Sequence, residues 1–363
     1  MLFGYQNPSF TWPGSDPHAI FERTRAAALK AEASGFVSFW LMDHLIQLPM
    51  VGAIDEPFLE GWTTLAALAA VTSRIRLGTM VSSVGYRNPA LLAKMVAGVD
   101  IISGGRAILG IGAGWFQTEY RQYGYEFPEQ PAVRIRQLDE GIQVIKAMWT
   151  QPRATFAGKY FQVKDAILEP KPVQKPHPPI LVGGGGEQLT LKVAAKQANM
   201  VNWFGPPEVV KHKLEVLARH CDTVGRDVSE IHITKLDTVL IGRQEKDVQQ
   251  KRIKLHLGDR PFLAGAVQQV IDQIAAFQAV GVQEIILNIP RNDPETLDLL
   301  GSEVIPAFEG VWYHTFSFPD LGGPPPPGGP PPPPPPPGRA LFMATPPPPP
   351  PPPPPRTRDA RKE

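Results

Sequence analysis

The stretch IRLGTMVSSVGYRNPALLAKMVAGVDIISGGRAILGI, from Ile75 to Ile111, holds the fold in miniature. A short apolar run, Ile75–Val81, is followed by a longer amphipathic pattern, Pro89–Ile102, and then by a second short apolar run, Ala107–Ile111. Short apolar runs of this kind read as strands and the 3.6-residue pattern between them as a helix. Two strands joined through a helix are parallel, because a parallel return needs a crossover.

The same unit recurs outward in both directions. Strands are expected at Leu2–Tyr5, Phe36–Met42, Ile180–Val182, Met200–Trp203, Ile231–Ile241 and Glu284–Asn288 as well. Helices are expected at Pro17–Ser34, Trp62–Thr72, Val133–Trp149, Glu187–Gln197, Pro206–Val224, Ala266–Val280 and Pro294–Phe308. Eight strand–helix pairs in about 310 residues point to an α/β (β/α)8 TIM barrel, with its active site at the C-terminal ends of the strands. A doubly wound open sheet is the alternative that periodicity alone does not separate from it.

Two segments exceed a minimal barrel. Residues 112–131 follow the fourth strand and carry Trp115, Phe116, Tyr120, Tyr123, Tyr125 and Phe127, too aromatic for a solvated linker. Residues 150–179 include a hairpin pattern, Thr155-Phe156-Ala157-Gly158-Lys159-Tyr160-Phe161, with Gly158 in its turn. Either insertion can cover the barrel mouth or pack on its exterior.

Of 43 prolines, 23 lie from Pro319 onward. The chain is therefore read as a barrel domain, 1–310, and a proline-rich low-complexity tail, 311–363, expected to be a disordered, extended rod because proline lacks the N–H that helix and sheet require. The remaining composition excludes several classes. Lys+Arg number 36 against 35 Asp+Glu in 363 residues, so no basic field exists for nucleic acid. The lone Cys221 allows no internal disulfide and no thiolate cluster, which suits a reducing compartment. No apolar run approaches the roughly 20 residues that span a bilayer. The N-terminal residues lack an export signal, so a cytoplasmic location is expected, with no membrane association. The eight histidines show no metal spacing, and no metal is expected.

Four constellations can carry chemistry. Trp40-Leu41-Met42-Asp43-His44-Leu45 ends an apolar strand in an acid and an imidazole, which at a barrel mouth can handle protons near neutral pH; the alternative is a capped turn and a packed ring. Gly78-Thr79-Met80-Val81-Ser82-Ser83 closes the third strand with small hydroxylated residues that leave room for a flat ligand. Gly110-Ile111-Gly112-Ala113-Gly114-Trp115 looks like a dinucleotide fingerprint but follows the fourth strand and lacks the final spacing. Leu181-Val182-Gly183-Gly184-Gly185-Gly186-Glu187 runs four glycines from a strand into a helix, an arrangement suited to a phosphate.

These stretches, with Arg76-Leu77-Gly78, Asn88-Pro89, Gly104-Gly105-Arg106 and Leu138-Asp139-Glu140, resemble the bacterial luciferase-like monooxygenase family, and within it the deazaflavin-dependent branch. The likeness spans about residues 1–310, nearly all of the chain outside the proline-rich tail that composition sets apart. It implies an oxidoreductase that uses coenzyme F420, or alternatively FMN. His44 is then the catalytic proton donor or acceptor, and Asp43 positions the cofactor or that imidazole. A bulge with a non-proline cis peptide at Met80–Val81 backs the ring. Ser83 and Thr118 lie at the ring's polar edge, Gly112 beside it, and Gly183, Gly184, Gly185 and Gly186 cradle the phosphate. Trp40 and Trp115 form a substrate wall. Sugar-phosphate dehydrogenases of the family carry a glutamate where this chain has Trp115, so an apolar or aromatic organic substrate is expected. A homodimer and a flavin or F420 reductase partner are compatible with the family. The alternatives are an FMNH2-dependent monooxygenase of the alkanesulfonate or luciferase type, and a non-catalytic flavin-binding protein that docks through its proline-rich tail.

Overall fold

In the computed structural model, which describes residues 1–11, 16–258 and 263–308, eight parallel strands close on themselves. They are β1 (Leu2–Asn7), β2 (Ser38–Leu41), β3 (Arg76–Thr79, resuming at Ser82–Ser83), β4 (Ala107–Gly112), β5 (Ile180–Gly183), β6 (Met200–Trp203), β7 (His232–Gly242) and β8 (Glu284–Asn288). Each pairs with the next in sequence, and β8 returns to β1, so no edge is left unpaired in the barrel. A further short strand, Leu263–Ala266, extends from the far end of β7.

The α-helices of six or more residues among the described residues are α1 (Ile20–Ala33), α2 (Gly61–Val71), α3 (Pro89–Ser103), α4 (Gln117–Gln122), α5 (Pro131–Thr150), α6 (Thr190–Gln197), α7 (Pro207–Val224), α8 (Glu245–Lys254), α9 (Val267–Ala279) and α10 (Pro294–Leu299). Local chemistry sets their ends. The Asn88 side chain accepts from the N–H of Ala90, Pro89 occupies the first turn, and the helix stops on Gly104 at φ +68°, in the left-handed region.

Alternation along the strands builds two layers of core. Phe39, Leu41, Leu77, Leu109, Ile111, Val182, Val201, Ile285 and Leu287 face the helices. Trp40, Ile108, Leu181, Met200 and Ile286, together with Met80, fill the barrel interior as a separate apolar cluster. Successive side chains of a strand point to opposite faces, so a strand buried on both sides is apolar throughout. Each fully buried Leu or Ile contributes about 1.5–3 kcal/mol.

The expected eight-unit barrel is present, with local differences. Helix α6 begins at Thr190 and not at residue 187, because the glycine run continues as loop. Helix α8 and the strand at Leu263–Ala266 were not expected; α8 is almost wholly charged or polar, with Val248 and the stem of Lys251 as its buried residues, so it has no apolar stripe to read. The hairpin forms from Ala154–Ala157 and Gln162–Ala166, with Gly158 in the connection. It docks on the barrel exterior: the Glu140 carboxylate of α5 accepts from the N–H groups of Lys159, Tyr160 and Phe161 at 3.0, 2.7 and 3.1 Å. The aromatic insertion 112–131 instead reaches the loop after β2, where the Tyr123 hydroxyl donates to the Leu45 carbonyl at 3.2 Å. No helix among the described residues is long and apolar enough to cross a membrane. The proline-rich segment and the boundary expected at residue 310 lie outside the described residues.

Candidate active site

The site begins with an interruption. β3 leaves its register after Thr79, the Met80–Val81 peptide is cis, and pairing resumes at Ser82. The bulge pushes backbone and side chain toward β4 and β5, and only glycine leaves the room. A Cβ at Gly110 would lie 1.8 Å from the Thr79 carbonyl oxygen, and one at Gly112 or Gly183 would lie 3.0 Å from a Val81 methyl. The fingerprint-like glycines of the fourth strand thus serve the neighbouring strand, and they explain why Gly-x-Gly recurs there.

Below the bulge sits a buried ion pair. Asp43 has no solvent-exposed surface. Its two carboxylate oxygens accept from Arg87 Nη1 and Nη2 at 2.6 and 2.8 Å, and Ser82 Oγ donates to it at 2.5 Å. Arg87 also donates to Glu60, which caps α2 through the N–H groups of Trp62 and Thr63. Burial alone would lower the Arg87 pKa, but the charges of Asp43 and Glu60 and its hydrogen bond to Asp43 raise it above the ordinary arginine value. A carboxylate held by a fork of two hydrogen bonds and a hydroxyl has little capacity left for a substrate proton.

His44, one residue on, belongs to a different network. Its Nδ1 lies 2.8 Å from Oε2 of Glu119, a carboxylate with no exposed surface. The same Oε2 accepts from the Tyr86 hydroxyl, and Oε1 accepts from the backbone N–H of Leu45 and, at 3.3 Å, of Ile46. Burial would push the Glu119 carboxyl up, yet the hydrogen bonds and the neighbouring imidazole hold it below the usual glutamate range. Burial and the same carboxylate push the Tyr86 phenol far up, so it stays protonated. The His44 ring meets Trp115 and Phe116 edge-on, with centroids 6.0 and 6.1 Å apart. Trp115 is 54% exposed, an apolar surface beside the imidazole.

The remaining expected residues are spread around this mouth. Ser83 is buried and hydrogen-bonds the Tyr120 hydroxyl. Thr118 is exposed on α4. Trp40 is fully buried in the barrel interior, and its indole N–H donates to Ser38 at 2.7 Å, so it presents no surface to the mouth. Gly183 to Gly186 lead from β5 toward α6, Gly184 at φ +116°. A Cβ on Gly185 would lie 2.6 Å from Lys213 Nζ, which donates to the Gly185 carbonyl at 2.8 Å. Bare backbone with an ammonium against it fits the phosphate group of a flavin or deazaflavin.

Tyr86 and Lys213 escaped the sequence reading, and Glu119, four residues after Trp115, reads there as structural and not as the partner of His44. Glu119 is 75 residues from His44, and nothing in the sequence pairs them. Arg87 is engaged with Asp43 and Glu60, Lys94 donates to the Glu169 carbonyl, and Lys192 is exposed on α6.

Known proteins share this sequence pattern and this fold. Residues 1–256 match the family model described as luciferase-like monooxygenase. An uncharacterized protein of Mycobacterium tuberculosis is 30% identical over 278 residues, covering 73% of this chain and 86% of its own length. The F420-dependent glucose-6-phosphate dehydrogenase of Microbacterium testaceum is 29% identical over 309 residues, 76% of this chain and 90% of that one. The FMNH(2)-dependent dimethylsulfone monooxygenase of Pseudomonas putida is 27% identical over 325 residues, 78% and 86%. Among solved structures, an F420-dependent secondary alcohol dehydrogenase superposes with a TM-score of 0.71 at 22% identity, over 84% of this chain and 98% of that one. The tetrahydromethanopterin reductase of Methanopyrus kandleri, also F420-dependent, gives 0.68 at 23% identity, over 85% and 99%. The chain belongs to the luciferase-like monooxygenase family.

Proposed function

We propose that this chain is an oxidoreductase that transfers a hydride between coenzyme F420 and a small, uncharged apolar or aromatic substrate. The observation that carries the reading is His44, held on a buried glutamate at the barrel mouth and flanked by Trp115 and Phe116. Hydride transfer to or from an alcohol or carbonyl must be matched by a proton, and a positioned imidazole moves protons near neutral pH.

Coenzyme F420, when bound, gives or takes the hydride at C5 of its deazaflavin ring. Met80 and Val81 would back that ring, Ser83 and Thr118 would meet its polar edge, and Gly183 to Gly186 with Lys213 would hold its phosphate. In the oxidising direction His44 takes the substrate hydroxyl proton on Nε2; in the reducing direction it returns it. Arg87 is bonded to Asp43 and Glu60, Arg291 to Glu56, and Arg134 to the Gly114, Pro128 and Glu129 carbonyls while lying over the Phe127 ring. An anionic sugar phosphate would have to compete with Asp43, Glu60 or Glu56 to use Arg87 or Arg291 as its counter-charge.

A second reading, an FMNH2-dependent monooxygenase, is favoured by the 27% identical dimethylsulfone monooxygenase. Titration of the full-length chain with oxidised F420 and with FMN, followed by fluorescence, separates the two. Selective F420 binding that Gly184→Asp abolishes supports hydride transfer; preference for FMN moves the assignment to the monooxygenase; binding of neither overturns both.

A further inference from the structure

We infer that Glu119 is a positioning residue that keeps the proton of neutral His44 on Nδ1 and so leaves the Nε2 lone pair for the substrate. The inference rests on the reading of His44 as the proton-handling group. An ionised carboxylate only accepts, and it has about four lone-pair sites. Glu119 receives four groups: the Leu45 and Ile46 N–H on Oε1, the Tyr86 hydroxyl and His44 Nδ1 on Oε2. The two backbone groups cannot reverse, and the Tyr86 phenol keeps its proton. Nδ1 therefore has to be the protonated nitrogen; a bare Nδ1 would set lone pair against lone pair in a buried site. The second nitrogen then has the lone pair that a substrate hydroxyl proton requires. The step balances: the carbinol carbon loses a hydride to the cofactor, its oxygen loses a proton to Nε2, and the imidazole becomes imidazolium still bonded to Glu119.

The arrangement makes a conservative change unusually damaging. In Glu119→Gln the amide oxygen must face the irreversible donors Leu45 and Ile46, which turns the NH2 toward His44. Nδ1 must then accept, and the ring proton moves to Nε2, where it blocks the base. The folded side chain hardly changes shape, yet kcat is expected to fall on the order of 100-fold with KM little altered.

The test is the tautomer, read without cofactor. The full-length chain is labelled with 15N at its histidine rings, long-range proton–nitrogen spectra are recorded across a pH series so that the tautomer is read on the neutral ring, and His44→Ala identifies the His44 signals by difference. The expected result is an Nδ1–H ring with bare Nε2 in the wild type and in Tyr86→Phe, and the opposite tautomer in Glu119→Gln. A wild-type ring protonated on Nε2, or a folded Glu119→Gln with an unchanged tautomer, overturns the inference. Should Glu119→Gln fail to fold, the wild-type and Tyr86→Phe spectra decide alone. F420 titration is independent: failure to bind it would sink the proposed function and leave the tautomer result standing.

Discussion

The barrel carries a histidine–carboxylate pair at each end. At the mouth His44 meets Glu119 at 2.8 Å, and at the opposite face His232 meets Glu284 at 3.2 Å. Both imidazoles are 12% exposed and both carboxylates nearly or wholly buried, so burial does not distinguish them. Position and company do. His232 and Glu284 are the first residues of β7 and β8; Glu284 also accepts from Ser38, the first residue of β2, which accepts from the Trp40 indole. That network ties strand starts to the core. His44 stands beyond the C-terminal end of β2, its ring flanked by the half-open surface of Trp115. Chemistry in this fold concentrates at strand C-termini, and stability at the other face.

His44→Ala should have the largest effect, lowering turnover about 10²–10⁴-fold while F420 still binds; His232→Ala should leave turnover within a few-fold and lower Tm instead. Equal rate losses in steady-state assays of the two variants would erase the distinction. Next in size is the ion pair beneath the mouth. Arg87→Met leaves the Asp43 carboxylate buried without its cation, at an expected cost of about 3–5 kcal/mol in urea unfolding. Arg153→Ala, which breaks a pair with Asp165 that is 60%/61% exposed, should cost about 0–1 kcal/mol in the same experiment. At the bottom face Glu284→Gln should lower stability by about 1–3 kcal/mol and leave kcat/KM unchanged, because its partners are structural.

The smallest effect is a pH dependence at Lys146. It donates to the Gln197 carbonyl at the end of α6, and burial lowers its pKa from 10.5 to about 8. Between those values the unfolded chain binds more protons than the folded one, so this group makes stability rise as pH increases from about 8 to about 10.5. Lys146→Met should flatten that part of a Tm-against-pH curve; an unchanged slope would show that the amine is not desolvated in solution.

The legible part of this molecule is the part written locally. A parallel strand buried on both faces must be apolar throughout, so Ile180–Val182 or Met200–Trp203 stands out without any knowledge of neighbours. Asp43-His44 was visible because both lie at the end of such a strand. Their roles were not separable in sequence, since each turns to a partner far along the chain, Asp43 to Arg87 and His44 to Glu119. The break in β3 was accessible only through family resemblance, because Ile75–Val81 reads as continuous strand. Helix α8 went unseen because little besides Val248 anchors it.

From the sequence alone came the eight-fold alternation, the crossover helices, the glycine run after β5 and the acid–imidazole pair at a strand end, all set by local periodicity and residue type. The tertiary structure alone decided which carboxylate holds which base, that the β4 glycines make room for the β3 bulge, and which of two similar histidine pairs stands beside the exposed Trp115. Hydrogen bonds and close approaches between residues tens of positions apart depend on barrel closure, and closure leaves no mark in any short window of sequence.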